Sequence, residues 1–335
     1  MKHQTTRYGE IPFYKIGTFG NTADAFISKK LFLEYKTKYS FPKKGDILIS
    51  ASGTIGRAVI YDGKPAYFQD SNIVWIDNDE TLVKNDFLFY AYSNVKWNTE
   101  YTTILRLYND NFRNTLIPLP PLNEQSAIAN ILSDLDRYLC ALDALILKKE
   151  GVKKSLSFEL LSQRKRLKGF NQAWQRVRLG DIANYLTSNL SVEQITQQGE
   201  IKVYDVNNFI GYTDTTFISD KPYISIVKDG SVGRVRILPP KTNILSTMGA
   251  LIANHRTTTE FLFYLLSNFD FKNFTSGSII PHIYFKDYKE KTIFLPPLNE
   301  QSAIANILSA LDNEIASLKN KKRQFENIKK ALNHD

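Results

Sequence analysis

The sequence predicts two α/β (α+β) domains separated by two long antiparallel coiled-coil helices, related by an internal pseudo-two-fold duplication. Three observations carry this. Residues 119–133 read LPPLNEQSAIANILS, and residues 295–309 read the same letters again. An identical run of about 15 residues, repeated after about 176, marks a duplication whose period is far too long for a solenoid unit. Each copy opens a stretch with apolar residues at helical spacing, and upstream of each lie matching short motifs in otherwise dissimilar sequence.

Taken in order, Gly9-Glu10-Ile11 is answered by Gly199-Glu200-Ile201. Residues 46–50 and 58–61 read as strands around a glycine turn, Gly53-Thr54-Ile55-Gly56-Arg57. Residues 223–227 and 235–238 flank the corresponding turn, Gly230-Ser231-Val232-Gly233-Arg234. Residues 86–92 and 260–267 read as short amphipathic helices, sharing Phe-Leu-Phe-Tyr (Phe87 and Phe261 onward) and Ser-Asn (Ser93 and Ser267 onward).

Pro120-Pro121 and Pro296-Pro297 forbid helix upstream of each repeated run, and Asn123 or Asn299 can cap its start. Ile128, Leu132, Leu135, Leu139, Leu142, Ile146, Val152, Leu156 and Leu160 form the first apolar stripe. Ile304, Leu308, Leu311, Ile315, Leu318, Phe325, Ile328 and Leu332 form the second. At about 1.5 Å per residue the second helix runs about 50 Å, outreaching a small domain, so the two helices are expected to pack on each other. The alternative is that each stripe covers its own domain. Residues 169–174 (GFNQAW) read as a linker. The expected divisions are 1–117 (a domain shortened at its start), 118–170 (first helix and linker), 171–293 (second domain) and 294–335 (second helix).

Composition narrows the partners. The 335 residues carry a formal charge of +9, 43% hydrophobic and 23% charged residues, as expected of a globular chain. A pI near 9.3 favours a polyanionic partner, nucleic acid first, against a merely basic soluble protein. Cys140 is the only cysteine, which fits a reducing cytoplasm. No apolar run approaches the roughly 20 residues of a membrane helix, and the N-terminus has no apolar signal region. A cytoplasmic, non-membrane protein is expected.

Chemistry-bearing motifs do not stand out. There is no phosphate-binding Gly-x-x-x-x-Gly-Lys-Ser/Thr loop and no Asp/Asn-Pro-Pro-Tyr/Phe run of the amino-methyltransferase kind. The glycine pairs are too short for a dinucleotide fingerprint. His3, His255, His282, His334 and Cys140 show no ligand spacing, so no metal site is expected.

Two segments in each half suit DNA. Each glycine turn ends in an arginine, Arg57 or Arg234, whose fork can reach phosphate or guanine; an ordinary hairpin with a solvated arginine is the alternative. Ahead of the repeated runs lie Thr102, Thr103, Arg106, Tyr108, Asn109, Asn111 and Arg113, and then Thr275, Ser276, Ser278, His282, Tyr284 and Lys286. These hydrogen-bonding side chains with interleaved aromatics suit both backbone positioning and base edges. Lys148, Lys149, Lys153, Lys154, Arg164, Lys165, Arg166 and Lys168 crowd the end of the first helix, and Lys319, Lys321, Lys322 and Arg323 sit on the second. A solvated helix face is the plainer reading, DNA steering the other.

The repeated Leu-Pro-Pro-Leu-Asn-Glu-Gln run with its long helix resembles the specificity subunits of type I restriction-modification systems. Residues 45–57 are similar to their target recognition domains, and residues 174–182 (WQRVRLGDI) look like the opening of one. The resemblance implies two target recognition domains, each reading one half of a bipartite site in double-stranded DNA, with the helices setting the gap. It implies docking of modification subunits, expected to be two, on the conserved regions: Pro120, Pro121, Asn123, Glu124, Gln125, Pro296, Pro297, Asn299, Glu300 and Gln301. Restriction subunits are further implied partners. No cofactor is expected in this chain; S-adenosylmethionine belongs with the modification subunits and ATP/Mg with the restriction subunits. The chain itself is expected to be non-catalytic.

The halves differ at their openings. The second begins at Trp174, well before Gly199, whereas about eight residues precede Gly9. The first domain is therefore expected to be incomplete, to start upstream of Met1, or to borrow the missing piece, as in a truncated or rearranged allele with an impaired first half-site. The competing classes are a protein-interaction scaffold and an enzyme fused to its own reader.

Overall fold

The computed structural model describes residues 4–68, 72–97 and 106–332. Thr102 and Thr103 lie outside the described residues. The chain divides into two units, Met1–Leu142 with Lys322–Asp335, and Asp143–Lys321.

The first unit carries, in order, β1 (Ile11–Tyr14), β2 (Ala25–Ile27), α1 (Lys29–Lys38), β3 (Ile47–Ser50), β4 (Ala58–Ile60), β5 (Tyr67–Phe68), β6 (Ile73–Trp75), α2 (Asn85–Asn94), α3 (Asn109–Arg113) and the start of α4 (Leu122–Leu161). Its sheets run β2-β1-β5 and β4-β3-β6. The unbroken apolar run of β3 belongs to a strand covered on both faces, and Leu48 and Ile49 are fully buried. Ser28 begins α1 by accepting a hydrogen bond from the Leu31 amide at 3.2 Å.

The second unit holds the rest of α4, then β7 (Gln175–Arg178), β8 (Ala183–Thr187), β9 (Ile201–Tyr204), β10 (Phe209–Thr213), β11 (Tyr223–Val227), β12 (Val235–Leu238), β13 (Thr242–Ile244), β14 (Met248–Ala253), α5 (Thr259–Ser267), β15 (Thr275–Ser276), β16 (His282–Ile283), α6 (Phe285–Tyr288), β17 (Thr292–Leu295) and most of α7 (Leu298–Leu332). Its sheets are β10-β9-β13, β12-β11-β14-β8, β15-β16 and β17-β7. The first two repeat the pattern of the first unit, strand for strand. Among the described residues, the first unit has no strand corresponding to β7, β8, β15, β16 or β17.

Each long helix is pinned at its start by a glutamine. The Gln125 Nε2 donates to the carbonyls of Pro120 (2.8 Å) and Leu82 (3.2 Å), while its Oε1 accepts from the Lys84 amide (2.8 Å). Gln301 repeats this with Pro296 (2.8 Å), Arg256 (2.9 Å) and the Thr258 amide (3.0 Å). Lys84 and Thr258 are the N-cap residues of α2 and α5, so each glutamine ties two helix starts together. This corrects the expected asparagine caps: the helices begin at Leu122 and Leu298, one residue before Asn123 and Asn299.

The stripes serve both expected purposes. Ile304, Ala305 and Leu308 of α7, with Leu160 of α4, belong to the core of the second unit. Ala129 and Leu132 of α4 pack with Phe87 and Tyr90 in the first. Farther along, the helices pair antiparallel within each unit. In the first, Lys329 pairs with Asp136 and Tyr138 packs on Phe325, ring centroids 4.6 Å apart. In the second, Lys153 pairs with Asp312, Lys149 with Glu314 at 2.8 Å, and Lys319 with Glu150 at 2.6 Å. The sequence suggested a solvated face for these lysines; for Lys149, Lys153 and Lys319 the structure shows interhelical partners instead. Val152, Ile328 and Leu332 stand outside the stripe, each at least 45% exposed.

The duplication reaches individual contacts. The Tyr90 hydroxyl donates to Asp136 at 3.0 Å under Lys329, and the Tyr264 hydroxyl donates to Asp312 at 2.9 Å under Lys153. Burial first, then the neighbouring aspartate, pushes both phenols above their usual range, which keeps them hydrogen-bond donors. Among the described residues, no helix is long and apolar enough to cross a membrane.

Candidate nucleic-acid interface

In each unit the fold joins the two segments that the sequence singled out. In the second unit β11 and β12 form a hairpin whose turn is Gly230 to Arg234. The Val227 amide donates to the Arg234 carbonyl, and the Gly233 amide to the Val227 carbonyl, both at 2.9 Å. The β15–β16 hairpin lies beside it. The Gly230 amide donates to the Pro281 carbonyl, the Ile283 amide donates to the Lys228 carbonyl, and Asp229 forms a bridge with His282. The His282 Nδ1 stands 2.7 Å from the Asp229 carboxylate.

The first unit repeats this arrangement. Its turn closes with Ser50 and Arg57, Ser52 bridges Arg106, and the Leu107 amide donates to the Ala51 carbonyl at 2.9 Å. Segments about 50 residues apart in sequence thus form one surface, twice.

The two glycines of each turn have different tasks. All four have positive φ, from 68° to 83°, which side-chain-bearing residues rarely adopt. A Cβ on Gly56 would lie 2.3 Å from the Trp97 indole, and one on Gly233 would lie 2.6 Å from the Phe271 ring. At Gly56 and Gly233 the backbone therefore approaches the protein's own aromatic ring, which fixes the turn from behind. Gly230, with nothing within 4 Å of its Cβ position, is the open one.

Around these turns the candidates fall into exposed and committed groups. Arg234, Ser276, Ser278, Tyr284 and Lys286 are exposed, with the Lys286 ammonium 5.4 Å from the Tyr284 ring centre. Thr275 is half-buried, its hydroxyl donating to the Phe271 carbonyl at 2.9 Å. Arg57 is exposed, with one guanidinium N–H donated to the Phe19 carbonyl at 2.9 Å. Tyr108, Asn109 and Arg113 are exposed, and Arg113 lies 3.7 Å from Asp110; Arg106 is half-buried.

Asn111 is a correction. It is buried, and its side-chain oxygen accepts from the Tyr108 amide at 2.7 Å, so it shapes α3 rather than facing a ligand. Glu300, Gln301 and Gln125 are further corrections among the docking candidates. All three are at most 1% exposed and hydrogen-bonded within their own unit, so a partner cannot reach their side chains. Asn123, Glu124, Pro121 and Asn299 remain exposed; Pro120 and Pro297 are half-buried, and Pro296 is buried.

Sequence reading missed the apolar tip of the β15–β16 hairpin. Ile279 is 92% and Ile280 55% exposed there. It also missed Asp229, whose pairing with His282 no spacing announces. Among the described residues, no group of three His, Cys, Asp or Glu is placed to hold a metal ion.

Two copies of one α/β head, each joining a glycine turn that ends in arginine to a polar segment and each attached to a long helix, define a duplicated recognition protein. The chain belongs to the family described as the type I restriction modification DNA specificity domain, which it matches over residues 1–149 and 171–327. It is similar to a putative type I restriction enzyme specificity subunit of Haemophilus influenzae, 63% identical over 137 residues. That match takes in 41% of this chain and spans only 36% of the relative's length. It is 28% identical over 326 residues to the putative MjaX specificity subunit of Methanocaldococcus jannaschii, covering 86% of this chain and 76% of that protein. Its fold is similar to the S subunit of a type I restriction-modification system from M. genitalium, with TM-score 0.67, 20% identity, and 99% and 90% of the two chains covered. A chain from a structural study of complex assembly in the type I R-M system matches at TM-score 0.52 and 16% identity, over 87% and 81% of the chains.

Proposed function

We propose that this chain gives a type I restriction-modification complex its DNA sequence, each unit reading one half of a bipartite site and the long helices setting the spacing. The observation that carries this is the repeated junction: Asp229 with His282 in one unit, and Ser52 with Arg106 in the other, each fuse a glycine turn and a polar segment into one surface. The exposed arginines, hydroxyls and aromatics of that surface match what positions phosphates and reads base edges. The apolar Ile279–Ile280 tip suits contact with thymine methyls or an opened base step.

The chain has no catalytic part in this reading. S-adenosylmethionine sits with modification subunits, two per complex, that dock at the helix starts; restriction subunits bring ATP/Mg. The exposed side chains of Asn123, Glu124, Pro121 and Asn299 are the ones offered to them.

The test reconstitutes the chain with its modification subunits and measures affinity for genomic DNA against salt. Counterion release predicts a fall of about a hundredfold or more between about 50 and 200 mM salt. Methylome sequencing of cells carrying the complex should then return one bipartite motif. A flat salt response, or no motif, contradicts the proposal.

A further inference from the structure

The two units carry corresponding clefts of different chemistry. In the second unit the cleft lies at the open edge of β12, beside the turn that joins β9 to β10. It holds about 200 Å³ and is lined by Val206, Asn207, Ser225, Arg234, Arg236 and Met248. Arg234 ends the glycine turn, and Arg236 follows two residues on, on the same face of the strand.

Arg236 is half-buried and already oriented. Its guanidinium lies 5.2 Å from the Tyr204 ring centre and donates to the Asn207 carbonyl at 2.9 Å. A guanidinium has five N–H donors, so most of the fork is left over. Among the described residues, neither Arg234 nor Arg236 makes an ion pair. The acid of the adjoining turn, Asp205, directs its Oδ1 to the Asn207 and Asn208 amides instead, at 2.7 and 2.6 Å. A half-buried charge without a counter-charge gives up hydration that nothing in its own unit returns.

The first unit supplies the control. Leu48 stands opposite Val59 where Ser225 stands opposite Arg236. Leu48 and Val59 belong to an apolar cluster with Tyr14 and Phe19, and they line the corresponding cleft. The fold therefore needs no arginine at this edge, and valine fills the place. The charge of Arg236 calls for a ligand rather than a packing partner.

We propose that the second unit's cleft holds one backbone phosphate of DNA, with Arg236 supplying the charge, and that the first unit has no counterpart. The arginine fork matches phosphate oxygens, and Asn207 adds an exposed amide at the rim. Because the cleft begins where the glycine turn ends, a duplex read by that turn has its backbone within reach. The site rests on the DNA-reading proposal and adds to it an anchor that is indifferent to sequence. Arg236 positions the duplex and reads no base.

The test uses the chain reconstituted with its modification subunits. It follows the dissociation constant against salt on a duplex selected by the complex and on a scrambled one. Arg236→Gln should weaken binding about tenfold on both duplexes and reduce the salt slope by about 0.9, the share of one phosphate. Asn207→Asp, at an exposed position, sets a carboxylate at the cleft and should shift both values the same way. Val59→Thr in the first unit should change neither. A parent slope that both second-unit variants leave intact overturns the site and spares the DNA reading. A loss confined to the selected duplex also overturns it, because Arg236 would then read bases. A flat salt response of the parent overturns the site and the DNA reading together. Should Arg236→Gln fail to fold, Asn207→Asp decides alone. Inorganic phosphate is titrated at constant ionic strength; if it stabilises the chain through Arg236 while neither variant alters DNA binding, the ligand is the free anion and the backbone assignment falls.

Discussion

The first and second units share a strand order in their first two sheets, a glutamine staple and a glycine turn bridged to a polar segment, but they differ in how they are finished. In the second, β7 and β8 close two sheets and a buried carboxylate holds the seam. In the first, the equivalent carboxylate, Glu124, is exposed, and residues 116–119, which correspond to β17, form no strand. One repeated run of identical letters therefore has two physical meanings, depending on what lies over it. Glu300 is a structural anchor; Glu124, the same residue in the same run, is an exposed acid.

The largest effect expected from this contrast comes at the anchor. Trp174→Ala removes a buried indole and its 2.9 Å hydrogen bond to Glu300, and should cost about 3–5 kcal/mol in the second unit by chemical denaturation. Glu124→Ala in the first unit should fall within about 0.5 kcal/mol of the parent. Equal losses would show that the two carboxylates are equivalent after all.

The turns sharpen the comparison next. Gly233→Ala must enter a positive φ and push on Phe271, so about 2–3 kcal/mol is expected; Gly56→Ala against Trp97 should behave alike. Gly230→Ala meets open space and should cost about 1 kcal/mol from backbone conformation alone. Thermal melts of the three variants decide whether the rings brace both turns.

The smallest effect lies along the helix pair. Where the second unit places the Lys149–Glu314 ion pair, the first places the Tyr138–Phe325 ring contact at the corresponding positions. The ion pair is partly exposed, so Glu314→Gln should cost under about 1 kcal/mol, and less still at about 1 M salt. Phe325→Ala should cost more, with little salt dependence. A double-mutant cycle at two salt concentrations checks both.

Much of this fold is legible in the sequence because its signals are local. Short apolar runs around glycine turns mark the β3–β4 and β11–β12 hairpins, the proline pairs delimit the long helices, and the repeat announces two related units. The rest depends on residues distant in the chain. Nothing near Gly233 says that Phe271 stands behind it, nothing in the shared run says that Gln125 and Gln301 turn inward, and Asp229 is about 50 residues from His282. The arginine turns and the polar segments were visible separately; their junction required the strand pairing. The lysine clusters read as solvated because their acidic partners lie on the other helix.

If each unit carries one independent reading surface, as proposed, the two half-sites must be separable by mutation. The direct measurement selects bound sequences from a random DNA library with the reconstituted complex, comparing the parent with Arg234→Ala and Arg57→Ala. Arg234→Ala should relax preference in one half-site and Arg57→Ala in the other, with the spacing unchanged. Variants that relax both halves together, or that leave both intact, would contradict it.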